Sequence, residues 1–431
     1  LDGAVKHLEK YIFDLRQSCA SMTDKRSGAN SRYSMEDIGM AAFSMFFMQQ
    51  PSFLAFQRTL HETIGKDNAQ TLFSMEKIPS DNHIRKMLDG VDPTHFESNF
   101  FGIIDDLRNS NIPVVKNVLG GHTLIAIDGS EYFCSKKLSC ASCSTRMRSD
   151  GEEEYFHSFL GATIVAPGDS KVFCLPAEFV QPQDGDKKQD CELKAAKRWF
   201  DRVAPSCAKY RPIYLGDDLY AKQDLCGMIV KGGDDFIFTC KDSSHKTLTE
   251  FRKGLSLATH VETKGTGSQK REYHYSWLCN LPIRDGTDAL LVNWIDVTIV
   301  DSRGKSTYHS SFVTSLPPSK ENISELISCA RTRWKIENET FNVLKNNGYH
   351  LEHNFGHGNQ TLAAMLVTLN LLAFSMHNAC DAVEKLWQHA REACGTRMRL
   401  FIHLGLITRY HMFLTWNSLM STLITGRPPP P

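Results

Sequence analysis

The spacing of hydrophobic positions changes along the chain, and its first part has the period of amphipathic helices. Up to about residue 119, apolar side chains recur at intervals of three and four, as in LDGAVKHLEKYIFDLRQ and SMEDIGMAAFSMFF. Ser34 and the sequence Pro79-Ser80-Asp81 supply helix starts. The pattern predicts a helical N-terminal region over residues 1–119. One of its helices could read DNA, or the region could be a packing domain without base contacts.

From residue 120 the pattern changes to that of strands. Three apolar or alternating runs come first, and then a helix, a strand, a second helix and a strand. Three strands with short links favour an antiparallel meander, whereas strand–helix–strand steps favour parallel pairing beside it. The sequence therefore predicts the α/β class, with a mixed sheet flanked by helices and residues 120–242 as the first part of its core.

Residues 243–316 again alternate apolar and polar positions and contain turn sequences such as RDGTD and DSRGKS. This pattern predicts a β-rich insertion with its own small sheet. Pro317 then introduces one long predicted helix, KENISELISCARTRWKIENETFNVLKNN. That helix and the next are assigned to the core over residues 317–380. Residues 381–431 are predicted to form a helical C-terminal region.

Charge and cysteine content change this picture little. The 49 basic and 49 acidic residues cancel, which argues mildly against a nucleic-acid partner, although the segment from Arg331 to Lys345 is locally basic. Thirteen cysteines without regular spacing are typical of reduced thiols in the cytoplasm. Two apolar runs, Ile38–Phe56 and Leu362–Met376, are interrupted or too short to span a bilayer. They predict buried helices of a soluble protein.

Three acidic residues occupy positions suited to a metal-dependent nuclease core. Asp128 lies on the strand LIAIDGS, Asp217 ends the strand PIYLGD, and Glu337 lies on the long helix, one turn after Arg333. Hard cations such as Mg²⁺ prefer carboxylate oxygens, and phosphoryl-transfer sites are commonly built from acids of distant segments. An arginine beside such acids suits a substrate phosphate.

These segments resemble the DDE transposases of bacterial insertion sequences, in the group with a Y-R-E-K signature. IAIDG resembles the strand of the first Asp, LGDDLY resembles the motif of the second Asp, and RWKIE resembles the Arg-x-x-x-Glu part of the signature. The similarity extends over roughly residues 120–380. It implies an RNase H-like core, a β-strand insertion before the third acid, and two Mg²⁺ ions held by Asp128, Asp217 and Glu337.

The resemblance also implies an activity and a partner. Such an enzyme cleaves DNA at transposon ends and joins the 3′-OH to target DNA, as a homodimer that holds two ends. Two neighbouring acids compete for the catalytic roles. Tyr220 falls in the family register for Asp217 rather than Asp218, and Arg333 precedes Glu337 by one turn, whereas Glu339 has no such arginine.

Two positions depart from the signature. Its tyrosine is replaced by Ala330, and its lysine position is Leu344, with Lys345 one residue later. On a regular helix, one residue rotates a side chain by about 100°. Arg333 and Lys345 are the candidate DNA-binding residues. Because Lys345 is displaced by one position, its role in DNA binding stays open. Two alternatives follow, a nuclease of the same fold without strand transfer and a catalytically impaired descendant that only binds DNA.

Cysteine and histidine residues form a second, weaker set of candidates. Cys140 and Cys143 have the C-x₂-C spacing of half a zinc site, and His157 and Cys191 could complete it. Ordinary free thiols explain the same residues.

Other aromatic and histidine residues are assigned from their neighbours in sequence. The glycine-rich stretch with His350, His353 and His357 predicts a loop, interpreted as facing DNA. Trp199, Trp334 and Trp387 are predicted to lie in the core.

Overall fold

The computed structural model describes residues 5–27, 32–110, 115–182 and 188–427, and within these ranges the chain forms an α/β fold. A large mixed sheet lies at its centre, with helices packed against it. The predicted fold class is confirmed at this level.

The sheet contains eleven strands in the described residues. Their bounds are β1 Thr123–Ser135, β2 Ser144–Met147, β3 Glu153–Ala166, β4 Asp169–Cys174, β5 Glu178–Phe179, β6 Pro212–Gly216, β7 Asp235–Thr239, β8 Ala258–Lys264, β9 Arg271–Pro282, β10 Leu291–Asp301 and β11 Ser306–Thr314. The order across the sheet is β2-β3-β1-β6-β7-β11-β10-β9-β8, and β4 and β5 also pair with β3.

Sixteen α-helices surround the sheet in the same ranges. Their bounds are α1 Lys6–Ala20, α2 Met35–Phe47, α3 Phe53–His61, α4 Thr63–Phe73, α5 Asp81–Leu88, α6 Glu97–Asn109, α7 Lys188–Arg202, α8 Ala204–Cys207, α9 Gln223–Lys231, α10 Lys246–Arg252, α11 Ile323–Arg331, α12 Asn342–Asn346, α13 Leu362–Val383, α14 Lys385–Cys394, α15 Arg397–Tyr410 and α16 Trp416–Thr425.

Strand β1 organises the first part of the core. It pairs antiparallel with β3 and parallel with β6, and β6 pairs parallel with β7. Its residues Leu124, Ile125, Ala126 and Ile127 are all fully buried, because side chains on both faces of the strand are covered. The antiparallel pairing of β3 with β1 and β4, and the parallel pairing of β6 with β1 and β7, confirm the predicted meander with parallel strands beside it.

The β-rich insertion is not a separate sheet. Strands β8 to β11 pair antiparallel with one another, and β11 also pairs with β7, where Phe312 lies opposite Thr239. The expectation of an independent small sheet is wrong. Without β11, the outer edge of β7 would leave its backbone groups unpaired, and the insertion removes this exposed edge by continuing the central sheet.

The helix predicted after Pro317 is a helical path of changing pitch. Helix α11 is followed by a 3₁₀ turn at Thr332–Trp334, a π-helical turn at Ile336–Phe341 and helix α12. Turns of the π type are rare and occur frequently at functional sites. The segment that carries Glu337 is therefore locally widened.

The N- and C-terminal helical regions pack together. The Asn68 side-chain amide donates to the carbonyl of Thr408 at 2.7 Å, and the Trp416 indole donates to the carbonyl of Leu72 at 3.0 Å. Helix α13 packs between these helices and the sheet, and its Asn378 amide donates to the carbonyl of Val172 in β4 at 2.7 Å. The described N- and C-terminal helices thus share one helical layer.

Helix α13 is the one described helix that is long and apolar enough to cross a membrane. Within its most apolar 18 residues, 94% are buried inside the protein. It is a core helix, as predicted for this run, and α2 in the other apolar run is also buried.

Candidate active site

Asp128 lies in the middle of β1, the strand that is covered on both faces. It is opposite Gly161 of β3, and its side chain is only 17% exposed. Burial of a carboxylate is costly unless charged or hydrogen-bonding partners compensate for it. The surroundings of Asp128 therefore determine what this position can do.

Arg333 joins the first acid to the third. Its Nη1 atom lies 3.1 Å from Oδ2 of Asp128 and 2.8 Å from Oε1 of Glu337. The guanidinium is nearly buried, with a side-chain exposure of 10%. Charge-assisted hydrogen bonds of this kind fix geometry well. The structure thus brings together Asp128, Arg333 and Glu337, whereas Glu339 has no place in this ion pair.

Asp217 and a further acid, Glu192, also act on Asp128. Burial is the main reason that the pKa of Asp128 is raised to about 8, against the opposing charge of Arg333. The carboxylates of Glu192, Asp217 and Glu337 raise this pKa further. Asp217 follows the carboxyl end of β6, the edge where side chains of parallel strands meet ligands. Four acids from four separate segments therefore share one electrostatic site.

Glu192 was missed by sequence reasoning. It lies on α7, and the Tyr220 hydroxyl donates a 2.5 Å hydrogen bond to its Oε1 atom. A side chain at Gly129 would collide with this carboxylate, so the glycine beside Asp128 leaves room for it. The aromatic residue of LGDDLY was the only signal in the sequence, because its hydroxyl holds the fourth acid.

Asp217 and Asp218 have different surroundings although they are adjacent. Oδ1 of Asp218 accepts a 2.6 Å hydrogen bond from the Lys241 backbone and lies 3.1 Å from Nε2 of His245. Burial acts to raise the pKa of Asp218, but the hydrogen bonds outweigh it and lower the pKa to about 2. Asp217 accepts from the backbone N–H of Leu219. Asp218 thus holds the chain after β7, and Asp217 faces Asp128.

The π-helical turn changes the position of Lys345. A turn with i→i+5 hydrogen bonds contains one residue more than an α-helical turn. Lys345 therefore stands where the seventh residue after Glu337 would lie on a regular helix. Leu344 is fully buried, whereas Lys345 forms a 2.9 Å ion pair with Glu352. Ala330, at the tyrosine position of the signature, is buried in α11.

A groove runs beside the helical segment that carries Glu337. It has a volume of about 430 Å³ and is lined by basic and aromatic side chains, together with small residues. The basic and aromatic ones are Lys264, Tyr273, Tyr275, Tyr308, Arg331, Trp334 and Lys335. We call this surface the basic groove. It lies between the insertion strands and the third-acid segment.

The prediction that Trp334 lies in the core is wrong. Trp334 is 52% exposed in the basic groove, whereas Trp199 and Trp387 are buried as predicted. Its neighbour Arg333 points into the acidic site, so the tightened 3₁₀ turn directs Trp334 outward. The guanidinium of Arg333 lies 4.9 Å from the ring centre of Trp334.

Cys140, Cys143, His157 and His357 form a second cluster of metal-ligating side chains, and their ligand atoms lie within 4.8 Å of one another. These four could hold a metal ion. Cys191, which was predicted from sequence as the fourth ligand, lies on α7 and is not part of this cluster. His357 takes its place.

The loop that carries His357 was predicted, but its orientation was not. His357 faces the two cysteines instead of solvent, with Nε2 3.2 Å from Sγ of Cys143. Gly358 makes this turn possible, since its φ is +66° and a side chain there would meet Asp89. Burial lowers the pKa of His157 to about 4 and also lowers the pKa of His357, which disfavours the protonated form of both imidazoles.

A scan against protein-family models matches none of them, and a search of curated proteins finds no match to this chain. Function therefore has to be inferred from the chemistry of the site.

Proposed function

We propose that this chain is a DDE transposase that cleaves DNA at transposon ends and joins the 3′-OH to target DNA. One observation carries the proposal. Asp128, Asp217 and Glu337, which come from three distant segments, share one site with Arg333 and with the further acid Glu192. An ion pair that only stabilises the fold needs one acidic residue for each basic residue. This site instead places four acidic residues around Arg333.

The donor set fits magnesium. All four acids offer carboxylate oxygens, the ligands that Mg²⁺ prefers. Burial, and after it the repulsion of the neighbouring carboxylates, raises the pKa of Asp128, and cations would compensate for the excess negative charge. Two bound Mg²⁺ ions would activate a water or a 3′-OH and stabilise the charge on the scissile phosphate.

Each residue has a distinct role in the proposal. Asp128, Asp217 and Glu337 would hold the ions, with Asp128 in the central position on a rigid strand. Glu192 adds a fourth carboxylate, and Tyr220 orients it. Arg333 orients Asp128 and Glu337 through Nη1, and the fixed fork of a guanidinium has further N–H donors for a phosphate.

The fold supports an RNase H-like core. The first acid lies on β1, which pairs antiparallel with β3 and parallel with β6. The second acid follows β6, and the third lies after the insertion. The basic groove and Lys345 support binding of DNA along the third-acid segment. A homodimer that holds two transposon ends belongs to the same proposal.

A strand-transfer assay tests this function. The substrate is a labelled duplex that ends in the 3′-OH of a transposon end, taken from the inverted repeats that flank the gene, with a plasmid as target. In Mg²⁺ we expect a joined product with the wild type and none with Asp128→Asn. Asp224→Asn is the matched control, because it removes a carboxylate that is 71% exposed on α9.

The outcomes separate the alternatives. Hydrolysis without a joined product would identify a nuclease that lacks strand transfer. DNA binding without cleavage would identify a catalytically impaired descendant. Activity that survives Asp128→Asn would overturn the proposed chemistry, since the central acid would then be dispensable.

A further inference from the structure

The cluster of Cys140, Cys143, His157 and His357 lies outside the acidic site and has its own geometry. We propose that these four side chains bind one zinc ion, which clamps the loop after the third-acid segment onto the sheet that carries the first acid. This structural site is independent of the magnesium chemistry.

The distances between the ligand atoms match a tetrahedral zinc site. Bonds of about 2.3 Å to sulfur and about 2.0 Å to nitrogen place two sulfurs about 3.8 Å apart and sulfur and nitrogen about 3.5 Å apart. The Sγ atoms of Cys140 and Cys143 are 3.8 Å apart. Nε2 of His157 lies 3.4 Å from the first and 3.5 Å from the second. These three ligands therefore surround a space of the right size for the ion. His357 completes the set, with Nε2 3.2 Å from Sγ of Cys143 and within 4.8 Å of the other two ligand atoms.

The chemistry of the four donors selects the metal. Two thiols and two imidazoles in tetrahedral arrangement are typical of zinc, and four protein ligands leave no open position for a substrate. A disulfide is excluded by the separation of the sulfurs, since S–S bonds are about 2.05 Å long. The backbone N–H of Cys140 donates to Sγ of Cys143 at 3.4 Å and helps to hold this sulfur in place.

The ligands come from three segments that the zinc would join. Cys140 and Cys143 lie in the loop between β1 and β2, and His157 lies on β3. His357 lies in the loop of residues 347–361, between α12 and α13. We call this segment the connecting loop. It has little regular structure, and it leads directly from the helical segment of Glu337 to the core helix α13.

Other contacts hold the connecting loop from the opposite side. The carboxylate of Asp89 accepts hydrogen bonds from four consecutive backbone N–H groups, those of residues 359 to 362. Arg85 donates to the carbonyl of Phe355 at 2.9 Å. The loop is therefore fixed to the helical layer, and the zinc would fix it to β3 and to the loop after β1.

Metal analysis of the full chain, purified without added metal and without chelator, tests the site. We expect one equivalent of zinc per chain. Cys143→Ser and His357→Ala should each lose it, whereas Cys191→Ser should keep it, because that buried thiol lies on α7 and outside the cluster. Asp128→Asn should also keep the zinc, which separates this site from the proposed magnesium site.

Cobalt provides a second measurement that does not depend on the variants folding. Exchange of the wild-type protein into Co²⁺ should give the visible absorption of a tetrahedral thiolate site, and removal of the metal by a chelator should lower the melting temperature. A wild-type protein that contains no zinc and shows no such spectrum with Co²⁺ would overturn the proposal. Loss of zinc from Cys191→Ser to the same extent as from Cys143→Ser would overturn the ligand assignment.

Discussion

Nη1 of Arg333 lies 3.1 Å from Oδ2 of Asp128, although 205 residues separate the two in the chain. The same nitrogen lies 2.8 Å from Oε1 of Glu337. One buried guanidinium therefore aligns the first and third acids and offsets part of their charge. Because Glu192 and Asp217 act on the same aspartate, the site keeps an excess of negative charge that cations can compensate.

Replacement of Arg333 tests this balance of charge. In a chelator, Arg333→Leu should lower the free energy of unfolding by about 3 kcal/mol, because it leaves two carboxylates without their partner. Mg²⁺ should raise the melting temperature of this variant more than that of the wild type, since the ions replace the lost positive charge. Arg331→Leu, at an exposed neighbour, is the control. Equal shifts by Mg²⁺ in Arg333→Leu and the wild type would contradict the proposed site.

Replacement of the two adjacent aspartates, Asp217 and Asp218, should have opposite effects on DNA cleavage and on stability. Asp217→Asn should abolish DNA cleavage, because it removes a proposed metal ligand. It should not lower the free energy of unfolding, because the lost carboxylate repels Asp128 in the folded protein. Asp218→Asn should cost about 2 kcal/mol of stability, since it weakens charged hydrogen bonds to Lys241 and His245, and should keep cleavage per folded molecule. Urea unfolding and cleavage assays measure both effects. The reverse result would transfer the catalytic role to Asp218.

The basic groove should contribute to DNA affinity through phosphate contacts. Each such contact adds about 0.9 to the slope of log affinity against log salt concentration. We expect Lys335→Ala to reduce this slope by about 0.9 and to weaken binding equally for all sequences. Lys253→Ala removes a lysine that is 66% exposed near α10 and should leave the slope unchanged. Identical slopes for the two variants would exclude the groove as the DNA surface.

The contribution of Asp89 to the free energy of unfolding should depend on pH. Partial burial acts to raise the pKa of Asp89, but the four backbone N–H groups outweigh it and lower the pKa below its ordinary value. The stabilisation is therefore complete above about pH 4 and is lost as the pH falls through the lowered pKa. Asp89→Asn should cost about 1 kcal/mol at pH 7, by analogy with helix N-caps.

Urea unfolding at several pH values measures this difference. The gap between wild type and Asp89→Asn should narrow as the pH falls below about 4. Asp285→Asn, in an exposed turn of the insertion, is the control. A gap that is constant with pH would show that the ionised carboxylate contributes nothing.

The sequence predicted the central sheet and the positions of three acids because those features are local. Strand periodicity and turn residues predicted β1, β6 and β7, which placed Asp128 within the first of these strands and Asp217 at the end of the second. The prediction of an independent sheet was wrong, because the pairing of β11 with β7 depends on which strand edges meet in three dimensions. Periodicity identifies a strand but not its partner.

The parts that were missed depend on packing between distant segments. Glu192 sits on an amphipathic helix without any unusual spacing, and only the packing of α7 against the sheet brings its carboxylate to Asp128. His357 is 214 residues from Cys143, so no ligand spacing could connect them. The displaced Lys345 was visible in the sequence. Its explanation, the π-helical turn, required the structure.

Binding of Mn²⁺, used as a probe for Mg²⁺ and followed by electron paramagnetic resonance, tests the central claim most directly. The acidic site should bind Mn²⁺ in the wild type, and Asp128→Asn should lose this binding, whereas Asp224→Asn should keep it. This measurement needs no knowledge of the DNA sequence. Equal Mn²⁺ binding by the wild type and Asp128→Asn would contradict the assignment of these acids as a metal centre.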